Sequence, residues 1–391
     1  MHSRFSRYAL FVFVTALLPG QPKSSLKPVA HSPSAPAKLQ FLCGVQAPYG
    51  EWNPLAQFIS GSNSSAYPLL PDQKAAWARH SELAKASWAN AQGRYLNPIG
   101  NWRDRTLGKN GSGDLVFYPF SGPDAANVLA FFPDARKYLL FGLEPVGCVP
   151  AGLSDYNGGY FSALRRSLDA ILTVNFFRTN DMEVDFNSVN LRGVLPALLF
   201  MISRSGYSVV DVTRVTITPG GTVERADNDV PGEIHGVAIR FTNGRQKPRE
   251  LYYFALNLQD SRLRRRPGAV KFLASLPAAD TLIKSASYLL HTPYFSLVRD
   301  VILSKSRVVV EDDSGIPFRF FDSSAWDVRL YGTYTEPINL FSRWRQGDLE
   351  LAFASTRDVP PLGFAIGYRH IKEANLLVAT HRELARRRSD D

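Results

Sequence analysis

The sequence has only two cysteines, three methionines and seven histidines in 391 residues. Two thiols are too few for a zinc site built from four thiolates, and the histidines show no H-E-x-x-H spacing, so no metal ligation is expected. G-x-G-x-x-G, the mark of a dinucleotide-binding turn, is missing, as is the G-x-S-x-G elbow of an α/β-hydrolase. No cofactor is therefore expected. No run after the N-terminus reaches 18 apolar residues, so no integral membrane span is expected in the mature chain. Acidic residues are absent from the first 37 positions.

What is present is ordinary globular composition, 45% hydrophobic and 12% aromatic. A chain this long buries roughly three quarters of its unfolded surface and needs no staple. The net charge is +10, but Arg4, Arg7, Lys23 and Lys27 supply four of those charges. The remainder has 41 basic against 35 acidic residues, a mild excess. Its basic clusters, Arg262 with Arg264 to Arg266 and Arg386 to Arg388, lack a nucleic-acid-binding module, so no nucleic-acid partner is expected.

Arg4 and Arg7 precede ten residues, Ala9 to Leu18, that are apolar but for Thr15, and Pro19-Gly20 stops them. Ten helical residues span about 15 Å, half a hydrocarbon core, so positions 1–20 are expected to be a signal peptide and the protein exported to the periplasm or outside the cell. Positions 21–40, rich in proline and serine, form an extended linker. Positions 41–391 are expected to be a single α/β domain. Cys43 and Cys148 can pair in an oxidising compartment, closing a loop worth about 4–5 kcal/mol on the chain-entropy account, or remain two buried thiols.

The expected fold is α/β, a mixed and mostly parallel sheet with helices on both faces and an antiparallel part at about 207–258. Trp77, Ala84, Trp88 and Ala91 form one helical stripe behind an N-capping Asp72. Residues 114 to 147 read as strand, turn, helix and strand, with continuous apolar runs suited to strands covered on both faces. Helices are expected over 161–177, 194–204, 271–290 and 294–304. Strands are expected at 207–218, 234–241, 251–258, 308–310 and 363–368.

Turns after parallel strands are where such a sheet builds sites. Ser121 and Asp124 stand in the first turn as candidate nucleophile and acid or base, against a plain capping pattern. Glu144 follows the second strand, where a nucleotide-binding sheet places its ribose contact. Asp312 and Asp313 are adjacent carboxylates that can divide acid and base roles, or belong to an Asp-Ser-Gly hairpin turn with Pro317 at a strand start. His291 is a candidate base, or a charge at a helix end. Tyr288 and Tyr331 are candidate ligand contacts, although core packing is the commoner use of aromatics.

Tyr118 to Asp124 (YPFSGPD), Gly142 to Gly147 (GLEPVG), Lys284 to Tyr288 (KSASY) and Asp312 to Pro317 (DDSGIP) together resemble a family of exported bacterial proteins of unassigned activity. The resemblance spans roughly residues 114 to 368 and implies export, with no activity, cofactor or site residue. From the residues themselves, the expected function is an exported hydrolase using Ser, Asp and His at strand ends on a small molecule or glycan. One alternative is a non-catalytic envelope or glycan-binding protein. A second is a nucleotide-dependent transferase with a methyltransferase-like sheet.

Overall fold

The computed structural model describes residues 51–108, 113–176, 184, 186, 191–226, 234–244 and 247–386. The expected signal peptide and linker, and Cys43, lie outside them. Three helices lead: α1 (Trp52–Ile59), α2 (Pro71–Ala91) and α3 (Asn97–Thr106), the last two joined without a break through a π turn at Gln92–Leu96. α2 starts at Pro71 after Leu70, so Asp72 sits in its first turn instead of capping it.

The expected strand–helix–strand unit is β1 (Leu115–Tyr118), α4 (Ala125–Phe131) and β2 (Lys137–Gly142). There follow α5 (Gly158–Val174), α6 (Leu195–Arg204), β3 (Ser208–Ile217), β4 (Val223–Arg225), β5 (Ile234–Thr242) and β6 (Arg249–Ala255). Then come α7 (Asp260–Leu263), α8 (Pro267–Ala274), β7 (Ala279–Ile283), α9 (Ser296–Lys305) and β8 (Ser306–Glu311). The chain continues with β9 (Trp326–Gly332), α10 (Gly347–Ser355), β10 (Asn375–His381) and α11 (Arg382–Arg386).

All ten strands form one sheet in the order β4-β3-β5-β6-β2-β1-β7-β8-β10-β9. The central five, β6-β2-β1-β7-β8, are parallel. The pairs flanking them on both sides are antiparallel. The α/β expectation with an antiparallel part holds. Alternate strand residues face opposite layers, as a pleated strand requires. Val116, Tyr118, Tyr138 and Leu140 join the core under α1–α6, while Leu115, Phe117, Leu139 and Phe141 join the one under α7–α10.

Two expected elements differ. The helix expected over 271–290 is α8, then strand β7, then a tight turn. Ala279 and Asp280 are residues that strands disfavour, and the strand exists because its five residues are all buried between β1 and β8. The strand expected at 363–368 is loop, and the last strand is β10. Both edge strands carry charged residues. β4 has three residues, and β9 carries Asp327 and Arg329, paired at 3.6 Å.

Gly332 ends β9 at φ +81°, and its N–H donates to Pro360 O (2.8 Å). A Cβ there would lie 2.0 Å from Ala374 O. Gly332→Ala is therefore expected to destabilise by more than about 1 kcal/mol, read from the urea midpoint at unchanged m-value.

Candidate functional site

Five parallel strands bring five carboxyl ends to one edge. The chain runs outward from β1 to β2 and β6, then returns to lay β7 and β8 on the other side of β1. The loops after β1 and β7 therefore part company at this seam, where an open sheet forms a ligand crevice. β10 is antiparallel, so its first residue, Asn375, starts at the same edge.

The seam is closed by a buried network. Asp124 caps α4 through Oδ1, which accepts from Asn127 N (3.1 Å) and Asn127 Nδ2 (3.0 Å). Its Oδ2 accepts from Tyr118 OH at 3.0 Å and pairs with Lys284 Nζ at 3.0 Å. Both side chains of that ion pair are at most 2% exposed. Lys284 Nζ also donates to the carbonyl of Asn175, the left-handed residue that ends α5. Asp124 thus holds the position at the start of α4 that an anionic ligand would take.

The turn after β8 is built from its own carboxylates. Asp312 accepts from Ser285 N and Ser314 N, both at 2.9 Å, and from Ser314 Oγ. Asp313 accepts from Tyr288 OH (2.5 Å), Arg369 Nη2 (3.0 Å) and Asn375 Nδ2 (3.2 Å). Glu311 Oε2 accepts from Ile316 N (2.9 Å). Burial, with Asp312 and Asp313 nearby, pushes the Glu311 carboxyl well above the carboxylate range. Burial first, and then the charge of Asp313, raise Asp312 to about 6. The segment is no hairpin turn, because a 3-10 turn at Phe318–Phe320 follows.

The structure gathers Asp124, Tyr288, Asp312 and Asp313 at this edge and gives the other candidates separate settings. Ser121 Oγ donates to Phe141 O and accepts from Phe141 N, both at 3.1 Å, extending the β1–β2 ladder. His291 lies in a 3-10 turn, not at the end of a helix, with its ring against Tyr288 and Trp344. Burial, then Arg319 and Arg299, lower its pKa to about 3, so it is neutral at neutral pH. Among the described residues no hydrogen bond joins Ser121 to His291, and the serine proton is held by a main-chain carbonyl. Tyr331 is buried edge-on to Trp102, with centroids at 5.3 Å, and packs in the core. Glu144, 5% exposed, stands just beyond β2, where Oε2 accepts from Leu143 N (3.1 Å) and its carbonyl accepts from Tyr253 OH (2.8 Å).

Sequence reasoning missed Lys284, Arg369 and Asn375. Lys284 was findable as the residue after a strand, had β7 been recognised. Nothing local marks Arg369 or Asn375. A cavity of about 10 Å³, room for about one water, is lined by Glu311, Asp312, Asp313, Phe318, Gln346 and Asn375. It is smaller than the roughly 300–1,000 Å³ usual for a ligand pocket. Among the described residues no group of three His, Cys, Asp or Glu is placed to hold a metal, and no helix is long and apolar enough to cross a membrane.

Lys284→Met leaves Asp124 buried and unpaired, and is expected to cost about 3–5 kcal/mol in chemical denaturation. Adding Asp124→Asn should recover part of that loss, a coupling a double-mutant cycle reads directly. Asp312 is raised from 3.8 to about 6, so its stabilising contribution is full below pH 3.8 and is lost as pH rises through 6. Its carboxyl carbon should titrate near pH 6 by NMR, and at lower pH in Asp313→Asn. Compared with family models, with curated proteins and with solved structures, the chain finds no match.

Proposed function

We propose that the chain is a nucleoside-dependent transferase of the methyltransferase-like kind, holding the ribose of its cofactor at the carboxyl ends of β2, β1 and β7. One observation carries this reading. The parallel strands run β6-β2-β1-β7-β8, an order that reverses at β1, with an antiparallel strand next to the last of them. Sheets of this winding bind ligands in the crevice at the reversal, with an acidic residue after the second strand on the ribose hydroxyls. Glu144 stands at that place, about twenty residues after the turn that follows β1. A carboxylate is acceptor-only and suits a vicinal diol, and Glu144 Oε2 is oriented by Leu143 N (3.1 Å) with Tyr253 OH at 3.5 Å.

Charge narrows the ligand. A dinucleotide rests its phosphates on the helix after β1, but here Asp124 occupies that helix start. Lys284 offsets Asp124 and Arg369 offsets Asp313, so Asp312 is the carboxylate that adds net negative charge at the same edge. A neutral or cationic nucleoside, such as an S-adenosyl compound, suits these surroundings better than a phosphate ester. Hydrolysis by Ser121 with His291 draws no support from their hydrogen bonds. The transferase reading requires the chain to stay in the cytosol, whereas the N-terminal segment read as a signal peptide favours export, where a sugar would supply the same vicinal hydroxyls.

The test is thermal shift of the whole chain with S-adenosylhomocysteine, NAD, ATP and glucose. S-adenosylhomocysteine at 100 times its dissociation constant should stabilise by about 2.7 kcal/mol. Glu144→Gln should weaken it by about 1.5–3 kcal/mol, the worth of a hydrogen bond to a charged group. A response to glucose alone moves the reading to a glycan binder, and a response to NAD or ATP alone contradicts the charge argument. Silence from all four ends the proposal.

A further inference from the structure

The turn that follows β7 has a backbone that ordinary side chains avoid. Ser285 (φ +54°), Ser287 (φ +53°) and Tyr288 (φ +56°) are all left-handed, and none is glycine. Left-handed non-glycine residues persist where surrounding structure over-determines them, and they gather at ligand clamps and switch regions. The surroundings here do so. Ser285 N donates to Asp312 Oδ2 (2.9 Å), Ala286 N to Ser314 Oγ (2.8 Å), Ser287 N to Tyr368 OH (3.1 Å) and Tyr288 N to Ser314 O (3.2 Å). Tyr368 OH in turn donates to Ser285 O (2.7 Å).

Ser287 uses its hydroxyl, which meets Tyr368 OH at 2.7 Å. Ser285 does not. Its Oγ is shut off from solvent and has no hydrogen-bond partner. Glycine would take φ +54° without strain and would leave no hydroxyl unsatisfied. Neither the turn's conformation nor its hydrogen bonding therefore calls for serine at 285. The residue stands directly after Lys284, in the turn that follows β7, the strand across the seam from Asp124. That strand lies two positions from β2, about 10 Å at the usual inter-strand spacing, and Glu144 stands just beyond β2.

We propose that the Ser285–Tyr288 turn is a conformational latch on the seam, strained when shut. Opening gives up its four N–H bonds and the Tyr288 OH bond to Asp313, and the release of three left-handed residues offsets part of that cost. When open, Ser285 Oγ is the group it presents to an uncharged or cationic polar arm of the ligand, since Asp312 beside it disfavours an anion. This ligand half rests on the nucleoside reading. A molecule touching both Glu144 and Ser285 spans two strand positions, longer than one sugar ring.

Hydrogen exchange of the ligand-free chain tests the latch by itself. Amides 285–288 should exchange at least tenfold faster than those of β7 and β8. Ser285→Gly should slow them severalfold, while Ser285→Ala, which keeps the strain and drops only the hydroxyl, should exchange as wild type does. Protection equal to that of β7, or no slowing in the glycine variant, overturns the latch. Titration with S-adenosylhomocysteine tests the contact. Both variants should bind at least fivefold more weakly. Wild-type binding that neither variant weakens overturns the Ser285 contact and leaves the nucleoside reading standing. Absence of wild-type binding overturns the nucleoside reading, and the contact with it.

Discussion

The ion pair between Asp124 and Lys284 crosses the line where the strand order reverses. Three pieces of chain that leave the sheet in different directions meet there: the turn after β1, the turn after β7 and the end of α5. Two charges taken out of water gain little net stability over an apolar pair, but each is intolerable without the other. The pair therefore acts as a specification more than as a source of stability. It fixes the first turn of α4 relative to β7.

The part of the fold legible in the sequence was the part built from contiguous chain. β1, α4 and β2 are adjacent in sequence and in space, and their apolar runs announce strands covered on both faces. β7 was illegible for a physical reason. Its Asp280 and Thr281 are polar and wholly buried, with Asp280 paired to Arg307 at 3.1 Å and Thr281 bonded to Ser306 at 2.6 Å. A strand whose polar groups are satisfied by a neighbouring strand shows no apolar signature of its own.

The candidate site was legible to the same extent. Asp312 and Asp313 announced themselves as adjacent carboxylates, and Asp124 as a residue after a strand. Their partners did not, because Arg369 and Asn375 reach Asp313 from 56 and 62 residues away. Ser121 and His291 carry the right chemistry for a nucleophile and a base. The backbone bonds of Ser121 and the buried, arginine-flanked setting of His291 give them structural roles instead.

The charged residues on the edge strands have a consequence for the molecule's dealings with other chains. A terminal strand ordinarily offers a row of unused amide and carbonyl groups to any extended polypeptide. Here one margin is a three-residue strand containing Glu224 and Arg225, and the other bears an aspartate and an arginine on successive outward positions. Ten strands wide, the array stops itself on both sides, which favours a molecule that stays dispersed at high concentration over one that adds copies edge to edge.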